Sequence, residues 1–219
     1  MQRGTLITTT GIDGAGKSTL AKNVRDELQA RGYDAVYAYG RFLPLFSYPV
    51  MELGRRTVLS NSDIEDNYTK HQSNKADLFD ISLLRRGYEM LVMADYAPQL
   101  FARVVVPLYQ HDYVVCDRYF YDTLLTDLSG DVIPEPQEAV DRYRMYSKLI
   151  PSPDFEFYVQ IPPEVSLERK DDIPDIEYLR DRKRFYDVFA QAYGMSVLDG
   201  TRSQSDLCFT VTNAVLSDT

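Results

Sequence analysis

A single α/β domain is the fold class that this sequence of 219 residues predicts, on three observations. Five short apolar runs alternate with stretches of helical period, the pattern of a sheet layered with helices. The first run leads through a glycine-rich loop straight into a helix, and a later run ends on an acidic residue. The length lets one domain, spanning 1–219, bury a sizeable core.

The first strand is expected over 5–10, and Gly11-Ile12-Asp13-Gly14-Ala15-Gly16-Lys17-Ser18 follows it. This is the spacing G-x-x-x-x-G-K-[ST]. Glycine lets the backbone turn successive N–H groups inward around a polyphosphate, and a helix beginning at Thr19 adds its positive end. Gly11, Gly14, Ala15, Gly16, Lys17, Ser18 and Thr19 are therefore the expected ATP cradle. Lys17 can reach the β- and γ-phosphates as a point charge, and the Ser18 hydroxyl is placed to ligate Mg²⁺ bridging them. Leu20, Val24 and Leu28 keep one apolar helical face until Arg31-Gly32 ends it.

A second strand over 34–39 leads to Gly40-Arg41. Ligands gather at such strand ends, so Arg41 is either a cation for an anionic ligand or a solvated arginine. Residues 45–110 then read as helical, with breaks near 60–63 and near Pro98. Within this region Asn74-Lys75-Ala76-Asp77 spells a guanine-reading N-K-x-D, but in a helix and ahead of the metal-binding strand, the wrong context for that role. A third strand, 112–116, ends in Asp117-Arg118-Tyr119. Asp117 is either an ordinary turn residue or the carboxylate that holds Mg²⁺ or its water, with Arg118 beside it to meet a phosphate. The fourth strand, 155–161, stops at Pro162-Pro163. A helix from Glu164 is interrupted over 171–174 and resumes over 175–193. Arg169 and Lys170 read as cations of a lid, about 168–178, that closes over the γ-phosphate. Arg180, Arg182, Lys183 and Arg184 read as a solvated face with i,i+4 pairs. A last strand, 195–198, turns through Asp199-Gly200-Thr201-Arg202-Ser203 into the final helix.

Composition narrows the class further. A net charge of −9 argues against a nucleic acid as main partner, since that binding rests on neutralising phosphates. Cys116 and Cys208 read as buried thiols, which suits a reducing cytoplasm. No positive segment precedes a long apolar one and no run approaches 18 apolar residues, so neither a signal peptide nor a membrane span is expected. His71 and His111 are too isolated to suggest a metal cluster.

Taken together, the glycine loop, Asp117-Arg118-Tyr119, Pro153-Asp154-Phe155-Glu156-Phe157-Tyr158 with Pro162-Pro163-Glu164-Val165, and Leu198 to Ser203 resemble the thymidylate kinases among the P-loop nucleoside monophosphate kinases. The resemblance implies a five-stranded parallel sheet flanked by helices with a short lid, a helical acceptor-side region at about 45–110, ATP with Mg²⁺, a small-molecule acceptor and commonly a homodimer. It implies transfer of the γ-phosphoryl of ATP to a nucleoside monophosphate. It gives Asp13 the placing of the acceptor sugar and its arginine, Arg41 and Arg118 the acceptor phosphate, and the turn with Arg202 a place near adenine. Gly14 stands where many members carry an arginine, which turns attention to Arg169 and Lys170. On the acceptor side the match departs from the family: Val92 replaces an aromatic ring, Tyr96 an arginine and Asp122 a small hydroxyl residue. That leaves two further readings, a kinase of the same scaffold acting on a nucleoside or another hydroxyl or amine compound, and a nucleotide-dependent switch protein.

Overall fold

The computed structural model of the chain describes residues 3–45, 47, 75–130, 132–170 and 175–217, and for 75–84 the backbone alone. It divides into two compact units, Met1–Phe42 with Leu100–Thr219, and Leu43–Gln99.

The larger unit is built on a parallel sheet in the order β2-β3-β1-β4-β5. Its strands are β1 (Thr5–Thr10), β2 (Ala35–Tyr39), β3 (Tyr113–Asp117), β4 (Phe155–Gln160) and β5 (Ser196–Asp199). The two central strands are covered on both faces, and all five residues of β3 are buried. This is why β1 and β3 read as β-branched or apolar runs without alternation. All strands being parallel, the loops after them emerge at one edge. The register sets Thr9 of β1 beside Asp117 of β3, so the glycine loop and the Asp-Arg-Tyr turn leave the sheet as neighbours.

Helix α1 (Lys17–Ala30) buries Leu20, Ala21, Val24 and Leu28, the apolar face expected of it. Two helical segments between β3 and β4 were not expected. The first is a turn at Phe120–Asp122 that continues into a π-helical turn at Thr123–Asp127. The second is Pro136–Tyr146, whose signal is Pro136 at the first helical position with Ala139, Val140 and Tyr143 buried at helical spacing. The expected helix after β4 is Pro163–Arg169, and the expected one after 171–174, which lie outside the described residues, is Ile176–Tyr193. The chain closes with Gln204–Ser217, packed on α1. Strands β3 and β5 end one residue later than expected, which makes Asp117 and Asp199 the last residues of their strands.

The smaller unit is described through α2 (Lys75–Leu100) and residues 43–45 and 47. The break expected near Pro98 is absent: α2 runs through it, then continues as a π-helical turn, Phe101–Val105, and a last turn, Val106–Leu108. Proline strips the helical N–H that would reach the Ala94 carbonyl, and the adjacent Asp95 carbonyl accepts from the Gln99 side-chain amide at 3.0 Å. The break expected near 60–63 and Asn74 lie outside the described residues, while Lys75 to Asp77 open α2. By length and composition the stretch Arg85–Leu108 is apolar enough to cross a membrane. It nevertheless buries Glu89, Asp95 and Gln99. Asp95 Oδ2 accepts from the N–H groups of Leu45 and Ser47 and from the Ser47 hydroxyl, and Gln99 donates to the Leu43 carbonyl.

Candidate nucleotide and acceptor site

The loop between β1 and α1 carries positive φ at Gly11, Gly14 and Gly16, the last being the N-cap of α1 at φ +86°. An L side chain is strained there, and the first N–H groups of α1 have no partner inside the helix. Lys17 is buried, and its ammonium donates to the Ile12 carbonyl at 2.6 Å. Burial, with the Arg118 charge close by, lowers its pKa to about 7. Ser18 and Thr19, by contrast, are exposed at the head of α1.

Across the sheet edge, Arg118 takes a left-handed backbone conformation, φ +65°, that costs a residue with a Cβ about 1 kcal/mol. Three contacts keep it there: its N–H donates to the Thr9 carbonyl at 2.9 Å, its carbonyl accepts from the Cys116 thiol, and Gly40 presses on that carbonyl where a Cβ would collide. The result aims a buried guanidinium at the glycine loop. Its Nη2 donates to Asp13 Oδ1 at 2.5 Å, and its Nη1 lies 3.5 Å from Asp122 Oδ1. Burial alone would raise the Asp13 carboxyl, but Arg118, Lys17 and Arg41 together hold it below its ordinary value. Asp13, Lys17, Arg41 and Arg118 thus share one electrostatic neighbourhood.

Arg41 follows β2 and forms an ion pair with Asp127, Nη2 to Oδ1 at 2.7 Å and Nε to Oδ2 at 3.4 Å. Asp127 closes the π-helical turn, a deviation that recurs at functional sites because it re-aims one side chain. Asp122 is fully buried and its oxygens are used within the protein. Oδ1 accepts from the hydroxyls of Thr10 and Tyr186, each at 2.7 Å, and Oδ2 from the Tyr119 N–H at 2.8 Å. Burial raises its pKa against those bonds and the Arg118 charge.

The helix Pro163–Arg169 packs on the back of the loop. Ser166 donates to the Asp13 carbonyl at 2.5 Å, and Arg169 Nη1 lies 3.3 Å from the Gly14 carbonyl and 3.2 Å from that of Gly200. Arg169 therefore bridges the glycine loop and the turn after β5. Lys170 follows it, exposed, and Arg202 is exposed on that turn, 3.9 Å from Asp206. Val92 and Tyr96 belong to the smaller unit, one turn apart on α2 and both 1% exposed.

Asp117 is 0% exposed; its Oδ2 accepts from the Tyr37 hydroxyl and its Oδ1 has no hydrogen-bond partner among the described residues. An orphaned buried carboxylate oxygen at a strand end, together with the exposed Ser18 hydroxyl, suits a hard cation that arrives with phosphate oxygens. Sequence reasoning missed Tyr37, Asp127, Ser166 and Tyr186. Each acts on a residue far away in the chain, and no local motif marks them.

No family model matches the chain. Among curated proteins it is similar to a probable thymidylate kinase of Methanosarcina mazei, 26% identical over 214 residues, which is 94% of this chain and 92% of that protein. A probable thymidylate kinase 2 of Saccharolobus solfataricus is 28% identical over 76% of this chain and 64% of its own length. A thymidylate kinase of Leptospira borgpetersenii is 24% identical over 83% of this chain and 72% of its own.

Proposed function

Because the chain belongs to the thymidylate kinase family, we propose that it transfers the γ-phosphoryl group of ATP to a nucleoside monophosphate, with thymidylate the first candidate. The observation that carries this reading is the meeting of Lys17, Asp13, Arg41 and Arg118 at one sheet edge, around a loop whose glycines hold positive φ. Phosphoryl transfer asks a protein for alignment and charge more than for covalent chemistry, and this edge offers both.

In the proposed reaction the N–H groups from Gly14 to Thr19 bind the donor's β-phosphate. Lys17 leaves the Ile12 carbonyl for the β- and γ-oxygens and becomes fully protonated as it does so. Ser18, with Asp117 acting through a water, would hold Mg²⁺, which would offset the charge of those oxygens. Arg118, fixed by Asp13 and Asp122, and Arg41 align the acceptor phosphate, so that its oxygen meets the γ-phosphorus in line. Arg169 already spans the glycine loop and the Asp199 turn, and with Lys170 it supplies positive charge on the donor side. A phosphate acceptor is ionised near neutral pH and needs no strong base.

One observation favours a second reading, an acceptor without phosphate. Arg41 and Arg118 are each engaged by carboxylates of the protein, so an incoming phosphate competes with Asp127 and Asp13. Incubating the protein with Mg²⁺ and γ-labelled ATP against nucleoside monophosphates and the matching nucleosides separates the two. Label in a diphosphate supports the first reading, label in a monophosphate the second. Label in free phosphate alone, released only with a protein partner, rejects both for a switch.

A further inference from the structure

Tyr37 lies on β2 with Val115 as its sheet partner, and Asp117 is two residues further along β3. That diagonal is within reach of a tyrosine, and its hydroxyl donates to Asp117 Oδ2 at 2.9 Å. The other oxygen, Oδ1, is buried without a partner among the described residues, although a second protein donor would remove the cost of leaving it so. The fold therefore satisfies one half of this carboxylate and leaves the other open. The Tyr37 ring has a second neighbour: the Lys22 ammonium stands 5.6 Å from its centroid. Lys22 is four residues after Ser18, on the same face of α1. Tyr37 thus links the carboxylate at the end of β3 to the helix that presents the Ser18 hydroxyl.

We propose that Tyr37 is a positioning residue for the divalent cation of the nucleotide site. By taking Oδ2 it fixes the rotation of the Asp117 carboxylate and leaves Oδ1 as the acceptor for a water of Mg²⁺ brought in by the nucleotide. This rests on the nucleotide-binding reading above. Groups that orient a metal's ligands from behind change metal affinity by about 10- to 100-fold when removed, and the lower figure suits a ligand acting through water. A purely structural tie between β2 and β3 would change stability and nucleotide affinity without regard to the metal.

The test uses the full chain and a fluorescent ADP analogue, titrated in EDTA and then across Mg²⁺ concentrations. Tyr37→Phe is expected to raise the Mg²⁺ concentration for half-maximal enhancement of binding about tenfold, with affinity in EDTA unchanged. Asp117→Asn, which keeps an acceptor for the Tyr37 hydroxyl, is expected to abolish the Mg²⁺ enhancement and to keep the melting temperature. Unchanged Mg²⁺ dependence in Tyr37→Phe overturns the proposal, as does an equal loss of affinity with and without metal. A Mg²⁺ enhancement that survives in Asp117→Asn overturns it as well. Failure of the wild-type protein to bind the analogue under either condition rejects the nucleotide-site reading itself, and the proposal with it.

Discussion

Replacing Lys17 with methionine should make the nucleotide-free protein more stable while removing its use for ATP. Lys17 is 4% exposed, and its ammonium has one hydrogen bond among the described residues, to the Ile12 carbonyl at 2.6 Å. Burial and the nearby Arg118 charge lower its pKa from 10.5 to about 7. Between those values the unfolded chain keeps a proton that the folded chain has released, so wild-type stability rises with pH from about 7 to about 10.5. At pH 7 the depressed pKa costs roughly 4 kcal/mol, at about 1.4 kcal/mol per pH unit. Methionine keeps the apolar stem and loses a bond contributing about 1 kcal/mol, for a net gain of about 3 kcal/mol. For a chain of this size that is a rise of about 6–12 °C in Tm. Calorimetric melts of both proteins without nucleotide, from pH 7 to pH 10, read the difference, and an ATP titration reads the lost affinity. A variant that melts at or below the wild type, or that keeps the alkaline rise, would refute the reasoning. The same group links binding to pH. If the phosphates return Lys17 to its charged form, nucleotide binding near pH 7 takes up protons and weakens as pH rises.

Asp127→Asn removes the anion that competes for Arg41; a part-buried pair of this kind contributes about 1 kcal/mol, so KM for a monophosphate acceptor should fall about fivefold while KM for a nucleoside stays put, and a rise would show that Asp127 aligns Arg41 instead. Glu156 is a mostly buried carboxyl on β4 whose Oε1 has no hydrogen-bond partner among the described residues, and burial raises its pKa to about 7. The folded state then binds more protons than the unfolded state between about 4.5 and 7, so this group makes stability fall as pH rises through that window. Glu156→Gln should gain about 2 kcal/mol at pH 8 and little at pH 4, read as the difference between two urea titrations; equal gains at both pH values would remove the carboxyl as the cause. Val92→Phe with Tyr96→Arg should raise activity on thymidylate if this face of α2 meets the acceptor base, and an unchanged preference among nucleotides would show that it does not.

How far the sequence reached depended on how locally each feature is encoded. The glycine loop was legible down to its residues because strand, turn and helix must follow one another directly for the N–H groups to converge. The strands were legible because burial on both faces demands an unbroken apolar run, which is why the five expected strands and the parallel sheet correspond to β1 to β5 within a residue or so at each end. Pro98 misled because a proline normally ends a helix, and nothing local announces that this helix will run through it and go on as a π turn. The acceptor side was less legible for a different reason. Arg118 finds Asp13 across 105 residues and Arg41 finds Asp127 across 86, so whether a site arginine is free or engaged is a property of the folded edge alone.

Asp122 is the clearest instance. Its place five residues beyond Asp117 allowed a carboxylate turned toward the acceptor, which would have argued for an amine or hydroxyl there. In the fold its two oxygens meet Thr10, Tyr186 and the Tyr119 N–H, and Arg118 lies at 3.5 Å, so the charge is turned inward. A buried carboxylate with that set of donors holds the guanidinium beside it in one orientation, and removing it would leave Arg118 with Asp13 as its remaining close anion. Of the three substitutions that made the acceptor pocket look foreign, this one is therefore better explained as part of the mounting of Arg118. What argues against a phosphate acceptor then narrows to the carboxylates of Asp13 and Asp127, both part-exposed and both displaceable by a stronger, doubly charged anion.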